Sequence, residues 1–201
     1  MCSPRRNEAL LLALALTSGC ALTPEVIRLT PEVPRTPVAG AERVELRVVV
    51  DDLRPERTDV VARKVNGFGM QLAEITSETP LAEVLARAVT GALVAQGYRV
   101  GESGRVTLVV ELLVFRHEFR TGFWAGRSEA EVMVLATLRD ASRRELFREV
   151  LAETFAHPIQ VASGANVKKA YEHALTATLE RLLSSDVFRQ ALVPAVDVPS
   201  L

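Results

Sequence analysis

The chain has 201 residues, 48% of them hydrophobic and 24% charged, with 24 Lys and Arg against 25 Asp and Glu. That apolar fraction supplies a buried core and excludes a disordered stalk, and the near-neutral charge argues against a nucleic-acid partner. The only cysteines are Cys2 and Cys20, so the remainder of the chain holds no disulfide, thiolate metal site or cysteine nucleophile.

The first 19 residues have the three parts of a secretory signal: basic Arg5 and Arg6, an apolar core from Ala9 to Leu16, and the small residues Ser18 and Gly19 before Cys20. Residues 1–19 are expected to be a lipoprotein signal peptide cut between Gly19 and Cys20, with diacylglycerol and acyl (palmitate) chains carried on the Cys20 sulfur. Thr17 stands where such sites most often have Leu, and Leu16 lies one step early. Cleavage after Ala21, which would discard both cysteines, is the competing reading of the same small residues. The uncharged run from Ala9 to Thr23 is shorter than the roughly 20 apolar residues that span a bilayer. An acylated Cys20 gains about 0.8 kcal/mol of membrane affinity per buried methylene, so several chains anchor the protein stably. Ala21 follows the cysteine where an Asp would mark retention at the inner membrane, so the expected address is the periplasmic face of the outer membrane.

Removing Arg5, Arg6 and Glu8 with the signal leaves 22 basic and 24 acidic side chains, a formal balance of −2. Residues 20–41 carry Pro24, Pro31, Pro34 and Pro37, the composition of an extended tether, in which Val26 to Leu29 can pack as a short edge strand. Residues 42–193 are expected to form one periplasmic domain and 194–201 a tail. Val44, Leu46, Val48 and Val50 alternate with Glu45, Arg47, Val49 and Asp51 as a strand with one buried face. A loop containing Asn66-Gly67 follows, then a short strand over Met70 to Ile75. Thr79 as N-cap and Pro80 as first helical residue open a helix whose apolar stripe is Leu81, Val84, Leu85, Ala88, Ala92 and Ala95, closed by Gly97.

Three long strands come next, Arg105–Phe119, Arg127–Arg139 and Arg144–Ala156, joined by turn-rich segments as an antiparallel meander. His157 before Pro158 marks a strand exit. Ser163 or Asn166 caps a second long helix bearing Val167, Ala170, Tyr171, Ala174, Leu175, Thr178 and Leu182 on one face, and Ser185-Asp186 starts a short one reaching Leu192. The expected class is α+β: a mixed sheet with a long three-strand meander and two main helices packed on it.

The segment Gln96-Gly97-Tyr98-Arg99-Val100-Gly101-Glu102-Ser103-Gly104-Arg105-Val106-Thr107-Leu108, with Asp52-Leu53-Arg54 and Ile27-Arg28-Leu29-Thr30-Pro31, resembles the YajG-type family of bacterial lipoproteins from Cys20 to about Leu192. The resemblance implies an outer-membrane lipoprotein with a periplasmic α+β domain, and brings no catalytic residues.

Four aromatic residues, Phe115, Phe119, Phe123 and Trp124, fall within ten positions, interleaved with Arg116, Arg120 and Arg127. Aromatic rings and arginines together make interface anchors, so Phe119, Arg120, Phe123, Trp124 and Arg127 are the candidate partner-binding residues. The bland reading is that Phe115, His117 and Phe119 continue the core and Trp124 folds back over the sheet end. Asp51, Asp52 and Asp59 could ligate a hard cation, but acidic residues at a strand end are usually turn formers. His117, His157 and His173 lack the spacing of a zinc site, and Glu129 with Glu131 on one strand face has the placement of a paired-carboxylate hydrolase, although solvated acidic faces are far commoner. No metal, cofactor or catalytic residue is expected. The leading expectation is a non-enzymatic, membrane-anchored binding or assembly component with envelope protein partners. A lipid-handling auxiliary of a transporter is the second expectation and an enzyme the third.

Overall fold

The computed structural model describes residues 23–56, 58–66, 68–120 and 126–192. Among them the elements run β1 (Glu25–Ile27), a 3-10 turn (Ala41–Arg43), β2 (Glu45–Asp52), β3 (Val60–Val65), β4 (Gln71–Ser77), α1 (Leu81–Ala95), β5 (Arg99–Val100), β6 (Val106–Arg120), β7 (Gly126–Arg139), β8 (Glu145–Ile159), α2 (Gly164–Ser184) and α3 (Asp186–Leu192). The class is the expected α+β. The main sheet has the order β5-β2-β6-β7-β8, with β2 parallel to β5 and β6 and the long meander antiparallel.

A second sheet, β1-β4-β3, was only partly foreseen. Strand β3 falls where the sequence reads as loop, because its alternation is broken: Val61, Ala62 and Lys64 are all buried, and the β3–β4 register shifts between Val60 and Ala62. Asn66 closes this hairpin, its Oδ1 accepting from the Phe68 and Met70 N–H groups at 3.0 Å each, an Asx turn.

One face of the main sheet carries α1 and α2. Leu81, Val84, Leu85, Ala88, Val89, Ala92 and Leu93 of α1 are buried, as the stripe of an amphipathic helix requires. Pro80, not Thr79, takes the N-cap position, so the helix starts one residue later than expected, and no side chain caps it. At the far end Gly97 (φ 100°) lets the Tyr98 N–H reach the Leu93 carbonyl at 3.0 Å, the terminating bond of a Schellman motif. Ser163 is the cap of α2, its hydroxyl accepting from the Asn166 N–H at 3.4 Å. Leu93, Leu108, Leu175 and Leu179, all at most 1% exposed, fill the space between helices and sheet.

Strand β8 continues through Pro158 to Ile159 instead of ending at His157. It is the edge strand of its sheet, where a missing ladder donor is tolerated.

The extended segment after β1 lies across both helices. Arg28 pairs with Glu78, the Thr30 N–H donates to Glu172 at 2.7 Å, Thr176 donates to the Glu32 carbonyl at 3.0 Å, and the Val38 N–H donates to the Gln96 carbonyl at 3.0 Å. Ile27 at the end of β1 and Leu29 of this segment are buried in the core.

Candidate binding site at the open end of the meander

A β-bulge in β6 decides what the aromatic and arginine-rich hairpin can do. From Val106 to Leu112 the even-numbered residues point inward; the register with β7 then shifts between Leu112 and Val114, and beyond it the odd-numbered residues do. One extra residue in a strand reverses the facing of everything after it. Phe115, His117 and Phe119 therefore turn toward α2, and Arg116, Glu118 and Arg120 toward solvent.

The inner face is an aromatic and polar cluster roofed by α2. Phe115 stacks on Tyr171, with ring centroids 3.8 Å apart, and His117 meets Phe119 edge-on at 4.5 Å. Tyr171, fully buried, donates its hydroxyl to the Val61 carbonyl at 2.8 Å, tying α2 to β3. Burial pushes that phenol above its ordinary range, so it stays a donor. On β8, Phe155 stacks on His173 at 4.3 Å.

His117 Nε2 lies 2.8 Å from Ser128 Oγ, which reaches the Asn166 carbonyl at 3.3 Å, and His157 Nε2 lies 3.2 Å from Asn166 Oδ1. The Nδ1 atoms of both histidines are buried without a partner among the described residues. Desolvation, and secondarily the nearby His157, pulls His117 down to about 4, so its imidazole is neutral at physiological pH. A His and Ser in contact evoke nucleophilic catalysis, yet Ser128 is 0% exposed beneath α2. Its hydroxyl lies between His117 Nε2 and the Asn166 carbonyl.

The outer face is a charge ladder. Register pairs Arg116 with Glu131, Glu118 with Glu129 and Arg120 with Arg127. Arg116 reaches Glu131 at 2.6 Å, and Glu129 is shared by Arg120 and Arg127, at 3.6 Å each. The two carboxylates with hydrolase-like placement are thus held by arginines. Of the candidate binding residues, Phe119 belongs to the inner face and Arg120 and Arg127 to the outer; Phe123, Trp124, Gly19 and Cys20 lie outside the described residues. At the end of β2, Asp52 is engaged by Arg54, through Nε at 2.9 Å and Nη2 at 2.7 Å, and accepts from the Arg54 N–H at 3.2 Å, as a turn-forming aspartate does.

The chain enters the domain at this same end. Lys64, 1% exposed, donates to the Thr23 carbonyl at 2.8 Å and pairs with Glu25 at 2.5 Å. Glu25 also accepts from the Gly164 N–H at 2.8 Å. Since Gly164 follows shortly after Ile159, the partner of Gly126, residue 23, the first turn of α2 and the start of β7 at Gly126 lie at one end of the domain.

Sequence reasoning passed over Tyr171, Ser128 and Asn166 as site residues. Tyr171 was legible only as a stripe residue, and nothing local in the sequence marks Ser128. It also passed over the tip of the β3–β4 hairpin, where Phe68 is 92% and Met70 59% exposed; a Phe between two glycines was the available signal.

No helix among the described residues is long and apolar enough to cross a membrane. No curated protein matches the chain. Among solved structures, protein XCC0632 from Xanthomonas campestris shares the fold: 18% identity, TM-score 0.57, covering 82% of this chain and 96% of that one. A minor lipoprotein from Acinetobacter baumannii is similar at 14% identity (75% and 93% covered, TM-score 0.39), and the rare lipoprotein B from Shewanella oneidensis at 11% (72% and 98%, TM-score 0.38). Residues 31–192 match the model of Lipoprotein_16, described as uncharacterized lipoprotein, and the chain belongs to that family.

Proposed function

We propose that this chain is a lipid-anchored, non-enzymatic binding or assembly component of the cell envelope, held by acyl chains on Cys20 at the periplasmic face of the outer membrane. Within its family we place it with the YajG-type lipoproteins, on the Gln96–Leu108 segment. The observation that carries the functional reading is the clustering at one end of the domain. Thr23, pinned by Lys64, lies at the end of the domain where α2 begins and where β6 and β7 have their open ends at Arg120 and Gly126, and the exposed tip of the β3–β4 hairpin extends from the same end of β4. Arg120 and Arg127 present charge there, and Phe123 and Trp124 of the β6–β7 connection complete the proposed partner-binding patch.

Two further features support a binding role. The interior between helices and sheet, filled by Leu93, Leu108, Leu175 and Leu179, favours a scaffold over a lipid carrier, and a recess of about 390 Å³ lined by Val38, Ala41, Val44, Tyr98, Arg189 and Leu192 is an open surface feature near the start of β2. The His117–Ser128 contact, covered by α2, offers no reacting group to a substrate.

Replacing Cys20 by Ser tests the anchor. The wild-type protein should float with outer membranes and yield a mature chain beginning at a lipidated Cys20, while C20S should be recovered in the soluble periplasm. An unmodified mature chain starting downstream of Cys20 overturns the reading. Crosslinking in intact cells followed by mass spectrometry should return recurrent envelope neighbours; their absence removes the assembly role.

A further inference from the structure

We propose that the tip of the β3–β4 hairpin, Phe68 and Met70, is a second membrane contact that enters the interfacial layer of the bilayer holding the Cys20 acyl chains, a proposal that rests on the lipid anchor above. Strands β1 and β4 are parallel, with Glu25 opposite Ile75. The end of β4 that carries the tip is therefore also the end of β1 from which the chain leads back to Cys20. Lys64 fixes the height of this exit: it pairs with Ala73 across β3–β4 and donates to the Thr23 carbonyl. Cys20 is three residues before Thr23, a reach of at most about 11 Å. Met70, just before the start of β4, is three residues before Ala73, at most about 10 Å in the same direction. A bilayer that takes up acyl chains on Cys20 is thus within reach of the hairpin tip.

The chemistry of the tip fits an interface. Between Lys64 and Glu74 the chain has no charged side chain, and Lys64 is turned into the protein, so the tip enters an apolar layer without desolvating a charge. The Asx turn at Asn66 satisfies two backbone donors that would otherwise need water. It also fixes Phe68 outward, where an exposed aromatic gains nothing from solvent and is well suited to the boundary between headgroups and acyl chains. Val161, 61% exposed just before the first turn of α2, adds apolar surface at the same end.

A tryptophan at the tip reads this directly. The mature acylated protein carrying Phe68→Trp and Trp124→Phe is reconstituted in phosphatidylethanolamine and phosphatidylglycerol vesicles containing lipid brominated on its acyl chains. Trp emission should move to shorter wavelength and fall about twofold or more. Val187→Trp in the same Trp124→Phe background should be unaffected, because it follows the far end of α2, about 30 Å away. If the protein floats with the vesicles but the position 68 reporter behaves like the position 187 reporter, the anchor stands and the tip contact is overturned. A blue shift at position 68 that needs no vesicles assigns the tip to a protein contact and also overturns it. A protein without lipid on mass analysis, which does not float, overturns the anchor reading and this one with it.

Discussion

Beyond its bulge, strand β6 has two faces that differ in nearly everything except their sequence interval. Phe115, His117 and Phe119 lie under α2 with Tyr171, while Arg116, Glu118 and Arg120 stand in a ladder with Arg127, Glu129 and Glu131. A cluster of aromatic and arginine residues that reads as one patch along the chain is divided by the pleat into a stabilising half and a solvent-facing half. Substitutions at neighbouring positions should therefore have effects of different size and kind. The largest belongs to Tyr171. Tyr171→Ala removes the stack on Phe115 and leaves the Val61 carbonyl without its donor, and should cost about 4 kcal/mol. Tyr171→Phe keeps the ring and should cost about 1 to 2 kcal/mol through the lost hydrogen bond alone. Urea denaturation followed by far-UV circular dichroism measures both, and a Tyr171→Ala loss below about 1 kcal/mol would show that the inner face is not the stabilising one.

The inner face should also be the pH-sensitive one. His117 is neutral in the fold down to about 4, whereas in the unfolded chain it gains a proton near its ordinary value of about 6.5. Between these values the unfolded state binds more protons, so stability falls as pH drops below about 6.5 and levels off below about 4. The loss attributable to His117 amounts to as much as about 3 kcal/mol. Denaturation midpoints at pH 7.5, 5.5 and 4.5 should decline in the wild type and decline less in His117→Gln. Equal slopes would place the titration elsewhere.

How much of this was readable in the sequence depended on whether the signal was periodic. The meander, both main helices and Gly97 as a helix end follow from strand alternation, apolar stripes and the φ that only glycine adopts cheaply. Strand β3 was hidden because Val61, Ala62 and Lys64 are all buried, and a buried lysine reads as a loop residue until its partners on β1 are seen. Phe119, Arg120 and Arg127 were found by composition, but their division between faces turns on the shift between Leu112 and Val114. Every residue near that bulge is apolar, from Val109 to Phe115 apart from Glu111, so an inserted residue leaves no mark on the pattern. Tyr171 and Ser128 acquire their roles from contacts between elements far apart in sequence, which no local period encodes.

The smallest effect on stability is expected from the outer face, and it is the one that separates stability from binding. Arg120 and Arg127 meet Glu129 at 3.6 Å with more than half of each arginine side chain in solvent. Pairs of this kind contribute about 0.2 to 1 kcal/mol and weaken with salt. Arg120→Ser with Arg127→Ser should therefore leave the denaturation midpoint almost unchanged, shifting stability by less than about 1 kcal/mol. If the arginines belong to a partner-binding patch, the same double variant should reduce the yield of its recurrent crosslinked neighbours in intact cells while protein level and membrane fractionation stay as in the wild type. A large loss of stability would instead merge the two faces into one structural unit. Unchanged crosslinking at unchanged stability would remove both arginines from the binding surface and leave any contact at this end to the β6–β7 connection and the β3–β4 tip.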